Sequence, residues 1–210
     1  KNIDAIQIFR RSIAVDPNYA NSHVGLGLTL HNIFRYEEAK DSFNIAISLN
    51  ENLEHAYFCR ANTYLSLHMN EEARVDYLKS IALKPHNPPA YNNLGTCLNH
   101  LGLFNEAAQS YRTAIEQRSD YAEPFYNLMS VKGVDFYESE ITDVLAFCDD
   151  PKTAKVDKMY LHFALGKHFE KCERYDESFF HYNAGNEIRK NSSNYDFGND
   201  LKLFKNLKTD

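Results

Sequence analysis

The stretch 160-YLHFALGKHFEKCERYDESFFHY-182 gathers side chains that chemistry uses: His162, His168, His181, Cys172, the Gly166-Lys167 pair and several carboxylates. A phosphate-binding loop would need an earlier glycine five residues before the one in the Gly-Lys pair, and Ser or Thr after it. Here those positions hold Leu161 and His168. A zinc site would use His168 and Cys172, which are four apart and so share a helix face. No third or fourth ligand stands at a matching spacing, because His162 is six residues upstream of His168 and His181 falls in the next helix of the pattern. No Ser-His-Asp or Cys-His arrangement can be argued from spacing. The acidic pairs Glu37-Glu38, Glu71-Glu72 and Asp176-Glu177 recur where second helices should begin. There they favour the positive end of the helix dipole. No catalytic residue, metal ligand or cofactor is therefore assigned to this chain.

The elements behind these residues emerge by subtraction. Ala5, Ala39, Ala73 and Ala107 are each 34 residues apart, as are Phe9, Phe43, Tyr77 and Tyr111, and Ser12, Ala46, Ser80 and Ala114. Upstream, Leu26-Gly27 maps onto Arg60-Ala61, Leu94-Gly95 and Leu128-Met129, and Pro17 and Pro85 lie two periods apart. Small residues at fixed points of a 34-residue period resemble the tetratricopeptide repeat. That resemblance implies an all-α, right-handed solenoid of antiparallel helix pairs. Gly27, Ala61 and Gly95 would let the second helix approach, with Ala39, Ala73 and Ala107 as their small counterparts. Phe43, Tyr77 and Tyr111 would fill the space between neighbouring units. Pro17 and Pro85 end second helices, since proline cannot continue a helix. A single pair cannot bury its own apolar face, so the units must stack.

The pattern divides the chain. Residues 1–19 read as the second helix of a truncated repeat, with more repeats expected upstream, and residues 20–121 as three full repeats. Residues 122–158 read as a degenerate repeat with an insertion. Within them 122–133 restarts a helix, and 138–150 forms another that Asp149-Asp150-Pro151 stops. Residues 159–190 read as a terminal helix pair: Gly166 to Ser178 repeats the 12-residue step from Gly95 to Ala107, and Tyr182 and Gly185 match Tyr111 and Ala114. Gly166 is thus expected to be a helix-contact glycine. Residues 191–210 read as a linker and a short amphipathic helix.

The string 161-LHFALGKHFEKCERYDESFFHYNAGNEIRK-190 also resembles the last repeat of bacterial-type proteins that join a tetratricopeptide arm to a sulfotransferase domain. Ser178 and Gly185 depart from the alanine that is commoner there. The resemblance implies a parent enzyme using a phosphosulfate nucleotide, with its donor loop beyond Asp210. Whether the parent is an enzyme is open on this reading, and a free-standing adaptor or assembly protein is the alternative.

In the family, the residues flanking the Leu-Gly pair of each first helix line the inner face of the array. The resemblance places Val24, Gly25, Leu28, Phe58, Cys59, Asn62, Asn92, Asn93, Thr96, Tyr126, Asn127 and Ser130 there. Phe58, Asn62, Asn92, Asn93, Thr96, Tyr126 and Asn127 are the candidate peptide-groove residues. Amides can donate to and accept from a peptide backbone whatever its side chains. Asn93 and Asn127 resemble two rungs of the asparagine ladder in the tetratricopeptide arm of O-linked N-acetylglucosamine transferase. In the plainer reading these amides solvate the groove or bond to neighbouring turns. A clamp for a chaperone's carboxylate tail would need Lys or Arg at these positions, and none is basic.

Composition narrows the partner. The net charge is −6 and no Lys/Arg block occurs, which argues against nucleic acid. No run of 18 apolar residues is present, so no membrane span is expected. Four cysteines without a CxxC pair suggest reduced, mostly buried thiols and a cytoplasmic setting. The expected partner is a protein or peptide, with self-association through exposed repeat ends as a further expectation.

Overall fold

The computed structural model describes residues 2–192, and among them there are eleven helices and no strand. The predicted tail helix lies outside the described residues. The chain forms two compact units, the first ending at Asp135 and the second beginning at Phe136.

Unit 1 contains α1 (Asn2–Val15), α2 (Ala20–Asn32), α3 (Tyr36–Leu49), α4 (Glu54–Ser66), α5 (Asn70–Leu83), α6 (Pro88–His100), α7 (Phe104–Gln117) and α8 (Ala122–Met129). The pairs are α2 with α3, α4 with α5, and α6 with α7; α1 packs on α2, and α8 on α7. The first helices also pack on one another, from α2 through α4 and α6 to α8.

Steric fit sets this pairing. A Cβ added at Gly27 would stand 2.7 Å from the Phe43 ring, and one at Gly95 would stand 2.7 Å from Tyr111. The aromatic of the second helix therefore rests on the bare backbone of the first. One added at Gly25 would meet Phe9 of the preceding helix at 2.2 Å, so the same aromatic column also fills the gap between neighbouring pairs. Ala39, Ala73 and Ala107 are fully enclosed, as are Phe43 and Tyr77. Glu37-Glu38 and Glu71-Glu72 do lie in the first turns of α3 and α5.

Each reversal inside a pair has one geometry. Phe34 N–H donates to His31 O and Arg35 N–H to Leu30 O, and the same two bonds recur at His68/Met69, Gly102/Leu103 and Glu173/Arg174. This is the Schellman closure, which satisfies the last carbonyls of the first helix. It needs a left-handed residue, and Phe34, His68, Gly102 and Glu173 have φ of 64°, 60°, 77° and 59°. Three of the four are not glycine.

The helix expected over 122–133 stops at Met129, and the chain turns through Gly133 at φ 75°. Unit 2 holds α9 (Glu138–Asp149), α10 (Lys155–Lys171) and α11 (Tyr175–Ser192). Here α10 pairs with α11, and α9 lies against α10. Leu161, Ala164, Leu165 and Phe169 of α10 are buried with Val144 and Cys148 of α9. Gly166 backs onto Tyr182, where an added Cβ would stand 2.8 Å from the ring, so it is the contact glycine expected. Ser178 replaces the usual alanine at no cost in unpaired polarity, because its Oγ donates to Gly166 O at 2.8 Å.

Candidate functional site

The groove candidates lie on α4, α6 and α8, and the fold joins most of them to one another. Tyr77 Oη donates to Asn62 Oδ1 at 2.6 Å, and Asn93 Nδ2 donates to the same oxygen at 2.9 Å. Asn92 Nδ2 donates to Asn93 Oδ1 and to Glu123 Oε1, both at 3.2 Å, while Asn127 Nδ2 donates to Asn92 Oδ1 at 3.0 Å. Thr96 Oγ1 accepts from Tyr111 Oη at 3.2 Å and donates to Asn92 O at 3.2 Å. The amides form a spine tying three successive first helices together. Asn92 departs from the sequence-based expectation most clearly. It is fully buried, with both amide hydrogens and its oxygen bonded inside the protein, so no surface of it faces a groove. Asn62, Asn93, Thr96 and Asn127 are half-buried and keep part of their surface outward.

Phe58 and Tyr126 are also half-buried. Phe58 stacks on His55, with ring centroids 6.4 Å apart, and meets Tyr77 edge-on at 6.2 Å. Of the other inner positions, Val24 and Cys59 are buried, and burial pushes the Cys59 thiol up to about 12. It is an inert packing thiol at neutral pH.

One residue of α4 has a role that spacing alone did not show. Arg60 is the only Lys or Arg in α2, α4, α6 and α8. Its Nε and Nη2 bond to Asp76 at 2.6 and 2.8 Å, and its Nη1 reaches Asn44 at 2.7 Å. The Asp76 side chain is 5% exposed, so this is a buried bidentate pair. The signal that could have found it is the 16-residue separation, the same step that joins Gly27 to Phe43 and Gly95 to Tyr111.

In unit 2, His168 Nε2 and Cys172 Sγ are 3.7 Å apart on their shared face. Among the described residues no group of three or more His, Cys, Asp or Glu is placed to hold a metal ion. His162 meets His181 instead. The four cysteines are free thiols, three buried and Cys172 exposed. No helix among the described residues is long and apolar enough to cross a membrane.

Comparison with known proteins agrees with this architecture. The tetratricopeptide repeat family matches residues 20–53 and 76–109. Human protein O-mannosyl-transferase TMTC3 is 28% identical over 147 residues, which cover 62% of this chain and 16% of that protein. The chain thus spans about a sixth of the length of this curated relative. The relative's name gives no support to the expected sulfotransferase arm. Among solved structures, YrrB, described as a TPR protein with an unusual peptide-binding site, superposes with a TM-score of 0.69 at 18% identity, covering 90% of this chain and 95% of that one. The first TPR of Spaghetti (RPAP3) bound to the HSP90 peptide SRMEEVD superposes at 0.51 with 22% identity, covering 52% and 86%. Family matches, helix pairing and contact glycines converge on one statement: this chain carries tetratricopeptide repeats stacked as helix pairs.

Proposed function

We propose that unit 1 is a protein-recognition surface that takes an extended, uncharged peptide segment along α4, α6 and α8. The observation that carries this reading is the chemistry of the face. Phe58 and Tyr126 offer half-buried aromatic surface, and Asn62, Asn93, Thr96 and Asn127 offer polar edges around a rigid amide spine. Aromatic anchors on a pre-organised frame lose little entropy on binding. The Spaghetti neighbour holds an acidic peptide. In this chain the one cation of the first helices is already held by Asp76, so a neutral segment suits the face better than an acidic tail.

The test is binding of immobilised peptide arrays by the wild type and by a Phe58→Ala/Tyr126→Ala variant. The reading predicts at least a tenfold loss of affinity, about 1.4 kcal/mol, in a variant that stays folded by circular dichroism although its melting temperature falls with the loss of the Phe58–Tyr77 contact. Equal binding by both proteins would remove this face from the account. The sulfotransferase context expected from residues 161–190 concerns chain beyond Asp210. A coding sequence that continues into a strand, a Ser/Gly/Thr-rich loop and a helix would support it; one that does not would leave a free-standing adaptor.

A further inference from the structure

A second meeting of titratable groups lies between α10 and α11. Nδ1 of His162 is 3.0 Å from Nδ1 of His181. His181 is only 6% exposed. Its ring stacks on Phe169, with centroids 5.4 Å apart and planes 15° from parallel, and Phe180 meets it edge-on at 5.1 Å. Two ring nitrogens at hydrogen-bonding distance share one proton, so one imidazole donates and the other accepts. Both rings are then neutral. Protonating the acceptor leaves two N–H groups facing each other, and protonating both places two cations at contact distance.

We propose that the His162–His181 contact is an acid-operated latch: it holds α10 to α11 while both imidazoles are neutral, and releases them as the pH falls. The surrounding charges are mixed. Asp149 of α9 favours protonation of both rings, Glu177 of α11 favours protonation of His181, and Lys158 of α10 opposes it at His162. Lys158 is anchored by its ammonium to Cys148 O at 2.6 Å. Glu138 and His168 line the same cavity as His181, together with Arg174, whose guanidinium is tied to Glu177.

Burial is the largest influence on both rings. It lowers His162 and, with repulsion from His162, pushes His181 down to about 4. A group whose folded value lies below its ordinary 6.5 takes up more protons when unfolded. Its stabilisation is therefore complete above about pH 6.5 and is lost as the pH falls through that value toward about 4. The wall that yields is His181, which borders a cavity of about 440 Å³ lined by Phe136, Ile141, Leu145 and Phe169 among others. Release would widen access to this pocket, whose apolar side chains are interleaved with Glu138, Thr142, His168, Arg174 and Glu177.

The experiment follows the histidine resonances of the full chain by NMR from pH 7.5 to 4, with thermal unfolding at each pH, in the wild type and in His162→Gln. Glutamine keeps a hydrogen-bonding partner but cannot take a proton. The latch predicts that His181 titrates well below 6.5 in the wild type and moves up by about one unit in His162→Gln. It also predicts that the wild-type melting temperature falls across this range more steeply than that of His162→Gln. The proposal is overturned if His181 titrates at its ordinary value in the wild type. It is equally overturned if His162→Gln leaves both the His181 titration and the slope unchanged.

Discussion

Unit 1 and unit 2 both bury polar side chains between neighbouring helices, with different chemistry. In unit 1 the seam is made of amides: Asn62, Asn93, Asn92 and Asn127 bond in sequence. In unit 2 it is a pair of imidazoles, His162 and His181. An amide has the same donors and acceptors at every pH at which the protein folds, whereas an imidazole changes its inventory near neutrality. The ion pairs differ as well. Arg60–Asp76 in unit 1 is nearly enclosed, while Arg174–Glu177 in unit 2 has side chains 55% and 46% exposed. A polar seam can thus fix the register of stacked helices permanently or conditionally, depending on the residue type used.

The largest expected effect comes from breaking the enclosed pair. Arg60→Ala would strand the Asp76 carboxylate, 3% exposed, without its counter-charge. A loss of about 3–5 kcal/mol is expected in urea unfolding. Glu177→Ala, the corresponding change in unit 2, should scarcely move the midpoint, because exposed pairs contribute little. Equal effects would mean that the two pairs are not distinguished by burial.

Next in size is the amide seam. Asn92→Ala removes the partner of Asn127 and one partner each of Asn93 and Glu123. It should cost about 1–3 kcal/mol, with a loss that does not vary between pH 7 and pH 5. A pH-dependent loss would mean that a titrating group, not the amide, dominates the seam. Amide hydrogen exchange at pH 5 should show the complementary result: protection falls in α10 and α11 before it falls in α4 and α6.

The contact glycines sharpen the comparison from the other side, because here the units agree. An added methyl would crowd Tyr111 at Gly95 and Tyr182 at Gly166, at 2.7 and 2.8 Å. Ala61 occupies the equivalent column in the α4–α5 pair, so a pair can be built around one methyl. Gly95→Ala and Gly166→Ala should each cost about 1 kcal/mol, the low end for overpacking, measured as a shift in melting temperature.

The smallest effect is a gain. His68 and Glu173 hold left-handed backbone at φ 60° and 59°. A non-glycine residue there costs roughly 1–2 kcal/mol, against roughly 0.5–1 kcal/mol for the greater freedom of glycine in the unfolded chain. His68→Gly and Glu173→Gly should therefore raise the melting temperature slightly, one in each unit. A fall in either would show that the side chain contributes more than its backbone strain costs.

The sequence was informative where a contact repeats. Gly27 against Phe43, Gly95 against Tyr111 and Gly166 against Tyr182 all recur at one separation, so residue size and period together reveal them. The left-handed turns repeat at the same period through Phe34, His68 and Gly102, yet only Gly102 has a type that announces its backbone. The candidate face was legible as a set of positions but not as a set of bonds. Asn92 and Asn93 are adjacent and of one type, yet the helix turns one wholly inward and leaves the other half-exposed.

What the sequence determined by itself is the repeating helix pair, because small and aromatic residues at a fixed period impose close approach wherever they occur. Tertiary structure decided which polar groups meet. The Asn127–Asn92 bond spans 35 residues and the His162–His181 contact spans 19. Each depends on how one helix is rotated against another, and a rotation of one residue would point either side chain elsewhere. Residue type states what a group can bond to, and only the packed helices bring the partner to it.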